Sequence, residues 1–253
     1  MLAGCARSQE ARLNHGQAQM RAGLYDDAIR DFTQAIKLAP ADAFGYLVRG
    51  DAYAQKHDLD RALADYTRAI QLDPASADAW CGRGTIYLRK CDDDQAIRDL
   101  SKSIELKPDH VAFTNRGWAL IRKADYDKAL ADLDYAVKTW PSKDSFDARG
   151  WAFFHKGDLA SAEKDAKAAL ALDGDFAWAR ALAFRVQYAQ GQTEAARAAA
   201  REFVKSGPKD PQAREVRLLF RYCLGEAPLD DLRDHPWWCL YEVAIRGLAV
   251  PAK

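Results

Sequence analysis

The feature that most constrains this chain is a period. Glycines stand at Gly16, Gly50, Gly84, Gly117 and Gly150, at steps of 34, 34, 33 and 33 residues. Twelve residues after each comes an alanine (Ala28, Ala62, Ala96, Ala129 and Ala162), and the series continues at Ala196, where the glycine has become Phe184. Sixteen residues after each glycine stand Phe32, Tyr66, Leu100, Leu133 and Ala166. A proline closes each unit at Pro40, Pro74, Pro108, Pro141 and Pro208, with Gly174 in that place once. Small residues let two helices approach closely, the bulky residue fills the space beside them, and the proline stops the second helix. Leu and Ala are abundant while Val and Ile are sparse, which favours helices over strands.

These steps resemble the tetratricopeptide repeat, a helix-turn-helix of about 34 residues with a small residue, an alanine, an aromatic and a proline in fixed order. Residues 43–76 follow nearly every step. The resemblance covers six units, 9–42, 43–76, 77–109, 110–142, 143–176 and 177–210, the last of them degenerate. It implies an all-α fold, a right-handed α-solenoid of about six hairpins, preceded by a short leader at 1–8 and closed by a helical cap at 211–253. In the cap, QAREVRLLFRYCL reads as one helix and DHPWWCLYEVAIRGL as another. The second carries Trp237, Leu240, Tyr241, Ala244, Ile245 and Leu248 on one apolar stripe. That stripe either covers the last repeat, as solenoid ends require, or serves a homodimer.

A second regularity lies in charge. Arg49, Arg83, Arg116 and Arg149 precede the glycine, with His15 in the first unit, and Asp31, Asp65, Asp99, Asp132 and Asp165 each follow sixteen residues later. In the sixth unit both partners become alanine, Ala183 and Ala199. Their joint loss predicts that each arginine pairs with an aspartate of a second helix, in its own unit or the neighbouring one, at partly buried sites where a bidentate contact orients the packing.

In the tetratricopeptide family the first helix of every unit lines a concave groove, so the resemblance assigns groove positions here. At that helix's second, fifth, ninth, twelfth and thirteenth steps these are Phe44, Leu47, Asp51, Ala54 and Gln55 in the second unit, Asp78, Cys81, Thr85, Leu88 and Arg89 in the third, and Val111, Thr114, Trp118, Ile121 and Arg122 in the fourth. The fifth contributes Trp151, Phe154 and His155, and the sixth Trp178, Arg185 and Tyr188. Three tryptophans with further aromatics on one open face invite association, and Trp, Tyr and Arg dominate interface energetics. The expectation is a groove that accepts an apolar or aromatic segment of a protein partner; the alternative is that these rings pack between helices. The carboxylate clamp of chaperone-docking relatives is absent, since the matching steps carry Leu13, Gln17, Val48, Asp78 and Gly82.

No catalytic chemistry is legible. The five histidines lie one to a unit without metal-ligand spacing, and Gly82-Arg83-Gly84 falls inside a first helix with no third glycine. Asp92-Asp93-Asp94 resembles a cation site but more simply caps a second helix. Lys plus Arg equals Asp plus Glu at 37 each, so no overall field draws the chain to nucleic acid. The expectation is an interaction protein rather than an enzyme, with no cofactor and no metal.

The opening Leu2-Ala3-Gly4-Cys5 resembles the lipobox of bacterial lipoproteins, with Cys5 the lipidated residue. A working signal also needs a basic start and an apolar stretch of roughly 7 to 15 residues, whereas Met1 alone precedes the motif here. The expectation is a true start upstream and an outer-membrane-anchored periplasmic adaptor; the alternative is an accidental match in a cytoplasmic one. In an oxidising envelope Cys223 and Cys239, on neighbouring cap helices, are candidates for a disulfide.

Overall fold

A computed structural model describes residues 2–206 and 211–226. Among them are thirteen α-helices and no strand. The chain divides into two compact units, Met1–Asn115 and Arg116–Lys253.

In the first unit, α1 (Leu2–Arg21) and α2 (Tyr25–Leu38), α3 (Ala43–Gln55) and α4 (Leu59–Leu72), and α5 (Ala77–Arg89) and α6 (Asp93–Leu106) form hairpins. The next helix, α7 (His110–Arg122), contains the boundary between the units. The second unit continues with α8 (Tyr126–Thr139), α9 (Lys143–Lys156), α10 (Leu159–Leu172), α11 (Ala177–Ala189) and α12 (Thr193–Ser206). Consecutive helices again pack together, and α13 (Pro211–Cys223) packs on α11 and α12. The QAREVRLLFRYCL helix is therefore present, while the stripe built on Trp237 lies outside the described residues.

The repeat residues do what their chemistry dictates. Second helices stop two residues before Pro40, Pro74, Pro108 and Pro141. A Cβ placed on Gly84 would meet Leu100 at 2.8 Å, and one on Gly117 would meet Leu133 at 2.7 Å, so the glycine is the point of closest helix approach within a hairpin. In the fifth unit, where the bulky residue has shrunk to Ala166, Leu182 of α11 fills the space against Gly150 instead. Asp58, Asp92 and Asp158 cap the second helices by accepting from Arg61, Gln95 and Ser161 amides, which absorbs the Asp92-Asp93-Asp94 run as a cap.

The helix α1 begins at Leu2 and so runs from the residues read as a leader at 1–8 into the first repeat. Ala3, Ala6 and Arg7 are good helix formers, and no proline interrupts them.

Candidate functional site

The charge regularity becomes a seam of ion pairs within each hairpin. Arg49 donates from Nε and Nη2 to the two oxygens of Asp65, both at 2.8 Å. Arg83 does the same to Asp99 (2.6 and 3.0 Å), Arg116 to Asp132 (both 2.7 Å) and Arg149 to Asp165 (2.7 and 2.8 Å). In the first hairpin the work is divided: Arg12 donates to Asp31 at 2.6 Å while His15 contacts its other oxygen at 2.6 Å. A third donor reaches the preceding hairpin, where Arg49 meets Thr33 (3.1 Å), Arg83 meets Thr67 (3.4 Å) and Arg149 meets Asp134 (2.9 Å). The aspartates are buried, and the hydrogen bonds they accept raise the pKa values of Arg49, Arg83 and Arg149 against the opposing effect of burial.

Two further regularities at the same seam were not anticipated. Aromatics three residues before the arginines lie against them: Tyr46 under Arg49, Trp80 under Arg83 at 4.8 Å and Phe146 under Arg149. Lysines at the ends of the first helices, Lys56, Lys90 and Lys156, pair with Asp26, Asp60 and Asp127 of the preceding hairpin. Both recur at the repeat step and were readable in principle. The lysine pairs are exposed and worth little each.

In the first unit, the expected groove positions converge on a cavity of about 560 Å³. Its lining includes Asp51, Ala54 and Gln55 of α3, Asp78, Cys81, Thr85 and Arg89 of α5, and Asp109 and Val111. Eight of these, all but Asp109, are first-helix steps that the resemblance assigns to a groove. Phe44, exposed at the start of α3, Leu47 and Leu88 are not among them; Leu47 packs beside Tyr66, Ile86 and Ala69, and Leu88 is 9% exposed.

The cavity floor is built by close packing. Tyr66 enters from α4, its ring against both Gly50 and Gly82; added Cβ atoms would stand 3.0 and 2.6 Å from it. Its hydroxyl donates to Asp51 Oδ1 at 2.7 Å. Burial pushes the Asp51 carboxyl up and Asp78 adds to this, with the Tyr66 bond opposing. Burial likewise pushes the Cys81 thiol up to about 11. The guanidinium of Arg89 turns aside, donating to the Ala54 carbonyl at 2.9 Å and meeting His57 Nδ1 at 2.8 Å. The two glycines of Gly82-Arg83-Gly84 are thus explained: Gly82 receives Tyr66 and Gly84 receives Leu100.

In the second unit the same steps carry aromatics, and the structure corrects the expectation of an open face. Trp151 is 1% exposed, Ile121 is fully buried and Arg185 is 6% exposed, so none of the three presents a contact surface. Trp151 packs with Phe154 (5.8 Å, edge to face) and His155 (6.0 Å), His155 stacks on Tyr126, and Arg185 lies over Phe154 at 5.0 Å. Trp178 joins the cluster of Ala169, Phe176 and Ala179, and Tyr188 adjoins Phe184. Trp118, Arg122, Phe154, His155, Trp178 and Tyr188 remain half-buried. Beneath them Asp147 is 3% exposed with Oδ1 unpaired, and its pKa is pushed well up by burial and by Asp144.

Among the described residues no group of three or more His, Cys, Asp or Glu side chains is placed to hold a metal ion. No described helix is long and apolar enough to cross a membrane. Cys223 is a free thiol, its pKa pushed up to about 12 by burial, so the disulfide expected with Cys239 is not formed; Cys239 itself lies outside the described residues. Cys5 falls within α1.

Sequence profiles described as "TPR repeat" and "Tetratricopeptide repeat" match residues 13–62, 50–90, 77–110, 114–177 and 153–218. No curated protein sequence matches the chain. Among solved structures, PilW, a widely conserved type IV pilus biogenesis factor, is 18% identical with a TM-score of 0.72, over 82% of this chain and 97% of its own. Pseudomonas aeruginosa PilF is 14% identical with a TM-score of 0.69, over 84% and 97%. YrrB, described as a TPR protein with an unusual peptide-binding site, is 24% identical with a TM-score of 0.55, over 74% and 97%. At these identities the likeness is one of fold.

Proposed function

Because the chain belongs to the tetratricopeptide repeat family, we propose that it is a non-catalytic interaction scaffold that receives a segment of a partner protein along the first helices of its hairpins. The observation that carries this reading is the cavity in residues 2–115. Eight first-helix side chains assigned to a groove from the sequence line one open space. A surface of this kind holds an extended or helical segment through a few well-placed contacts. Apolar contact is expected from the half-buried Trp118 and Phe154 of the second unit.

We place this scaffold at the bacterial cell envelope, anchored through Cys5. The lipobox-like Leu2-Ala3-Gly4-Cys5 supports that setting, as does the fold likeness to a type IV pilus biogenesis factor.

A photoreactive residue at Thr85, inside the cavity, is expected to cross-link a partner in living cells, while the same residue at Arg68, exposed on α4, is not. Equal labelling from both sites would remove the groove reading. Incorporation of labelled palmitate that is lost in Cys5→Ser, in cells carrying the gene with its upstream sequence, tests the anchor.

A further inference from the structure

The cavity of the first unit differs from an apolar receptor in one respect: its floor and rim are acidic. Asp51 lies at the floor, Asp78 in the first turn of α5, and Asp109 at the start of α7. Of the two cations in the lining, Arg89 is turned onto the Ala54 carbonyl and His57, and Lys107 sits exposed past the end of α6. The rest of the lining offers apolar surface from Met20, Ala54 and Val111 beside the uncharged polar groups of Gln55 and Thr85.

The floor is also particular to this place. At the ninth step of a first helix the chain carries Asp51, Thr85, Trp118, Trp151 and Arg185, so Asp51 is the only acid in that series. At the matching step of the second helices it carries Phe32, Tyr66, Leu100, Leu133 and Ala166, so Tyr66 is the only residue there with a hydroxyl. The two meet at 2.7 Å, held by a ring that fits because Gly50 and Gly82 both lack a Cβ. Tyr66 satisfies Oδ1 of Asp51, while Oδ2 accepts no hydrogen bond among the described residues. A half-satisfied carboxylate at the bottom of a partly apolar space is complementary to a side chain with an apolar stem and a cationic tip.

We propose that this cavity is the receptor for one lysine or arginine side chain of the partner segment, the stem lying on Met20, Ala54 and Val111 and the cationic head donating to Asp51, with Asp78 and Asp109 reinforcing the field. This rests on the groove reading above and gives it a chemical class of ligand. It also assigns a role to Gly82, which the repeat itself does not require.

The test is selection of random decapeptides displayed on phage against the full chain, followed by affinity measurements on the synthetic peptide recovered most often. The expected result is enrichment of Lys or Arg at one position by about threefold or more. Replacing that residue by norleucine should weaken binding about tenfold. The Lys-to-norleucine discrimination should vanish in Asp51→Asn and shrink in Tyr66→Phe and in Asp78→Asn, the last being an exposed site whose helicity and melting should match the parent. Norleucine binding as tightly as lysine, or acidic peptides being selected, overturns the cationic assignment. In that case Thr85→Trp, which fills the cavity, still abolishes binding if the groove reading is sound. Recovery of no peptide, or peptides indifferent to Thr85→Trp, overturns both.

Discussion

The two units share an outer seam and differ at their inner positions. Arg83 with Asp99 in the first and Arg149 with Asp165 in the second make the same two hydrogen bonds through the same atoms, and each arginine also reaches to the preceding hairpin. At the ninth step of the first helices the parallel fails. Asp51 and Thr85 line an open cavity, whereas Trp151 is sealed among Phe154 and His155. The seam fixes hairpin geometry and tolerates little variation, since a charge left without its partner is costly inside. The inner step is free to carry either recognition chemistry or packing, and the side chain placed there decides which.

The comparison is broken most directly at Trp151. Trp151→Ala should destabilise the chain by about 3–5 kcal/mol, as truncation of a fully buried large side chain does, with a clear loss in urea midpoint. Thr85→Ala, at the same step of the first unit, where the side chain lines the cavity, should lose distinctly less. Equal losses would mean that the inner steps of the two units are not different in kind. The seam predicts the reverse: Asp99→Ala, and Asp165→Ala measured in an Asp134→Ala background because Asp134 also accepts from Arg149, should each lose about 3 kcal/mol by leaving a partly buried guanidinium without a carboxylate, and by similar amounts. A gap of more than about 1 kcal/mol between them, large against the usual scatter of additive sites, would deny that the seam is common to both units.

How much of this was legible follows from the physics of a repeat. The hairpins, their ends and the arginine–aspartate pairs were readable because each is dictated by residues at fixed steps within one unit, such as Pro74 after α4 or Asp65 sixteen residues after Arg49. The steps that line the first-unit cavity recur at the same spacing, but Phe44, Leu47 and Leu88, expected beside them, are not in its lining. The burial of Trp151 was not, because the step says where a side chain begins and not what closes over it. The Tyr66–Asp51 floor was half-legible. Gly82 stands outside the repeat period, and an unscheduled glycine facing an aromatic step signals a close approach that the sequence reading passed over as a failed phosphate loop.

The floor gives a smaller effect than the seam. Gly82→Ala puts a Cβ 2.6 Å from the Tyr66 ring, and overpacking of this kind costs about 1–3 kcal/mol. The shift should also move the Tyr66 hydroxyl off Asp51, so the loss in urea stability should be accompanied by a change in tyrosine fluorescence.

A contrast of sign rather than size comes from two buried carboxylates. The pKa of Asp147 is raised by burial and by Asp144, so as pH climbs past about 4, the unfolded value, the unfolded chain ionises while the folded one does not, and stability is lost. Asp147→Asn should therefore gain stability over the parent as pH rises from there. Burial also acts to raise Asp31, but Arg12 and His15 overcome it and hold its pKa down. Its contribution is present above the unfolded value and disappears as pH falls through the folded one, so Asp31→Asn should lose stability at neutral pH and approach the parent in acid. Melting temperatures of both variants from pH 3 to 8 decide the matter; parallel profiles would break the contrast.

The smallest effect concerns the turns inside the hairpins, which have one geometry and two chemistries. After α9 the chain passes through Gly157 at φ 87°, and after α7 through Ala124 at φ 61°, with equivalent hydrogen bonds: Asp158 to Phe153 and Asp125 to Leu120, at 3.0 and 2.9 Å. Both are left-handed helix ends in which the amide after the left-handed residue reaches back across the last turn. A left-handed alanine is strained by about 1–2 kcal/mol relative to glycine, while glycine in its place returns about 0.5–1 kcal/mol of chain entropy to the unfolded state. Ala124→Gly should therefore stabilise by about 0.5–1 kcal/mol, the difference of those terms, and Gly157→Ala should destabilise by a similar amount. His57→Gly, at φ 62° in the first unit, should behave as Ala124→Gly does only if losing its contact with Arg89 is nearly neutral, so the difference between the two substitutions measures what that contact adds to the cavity wall.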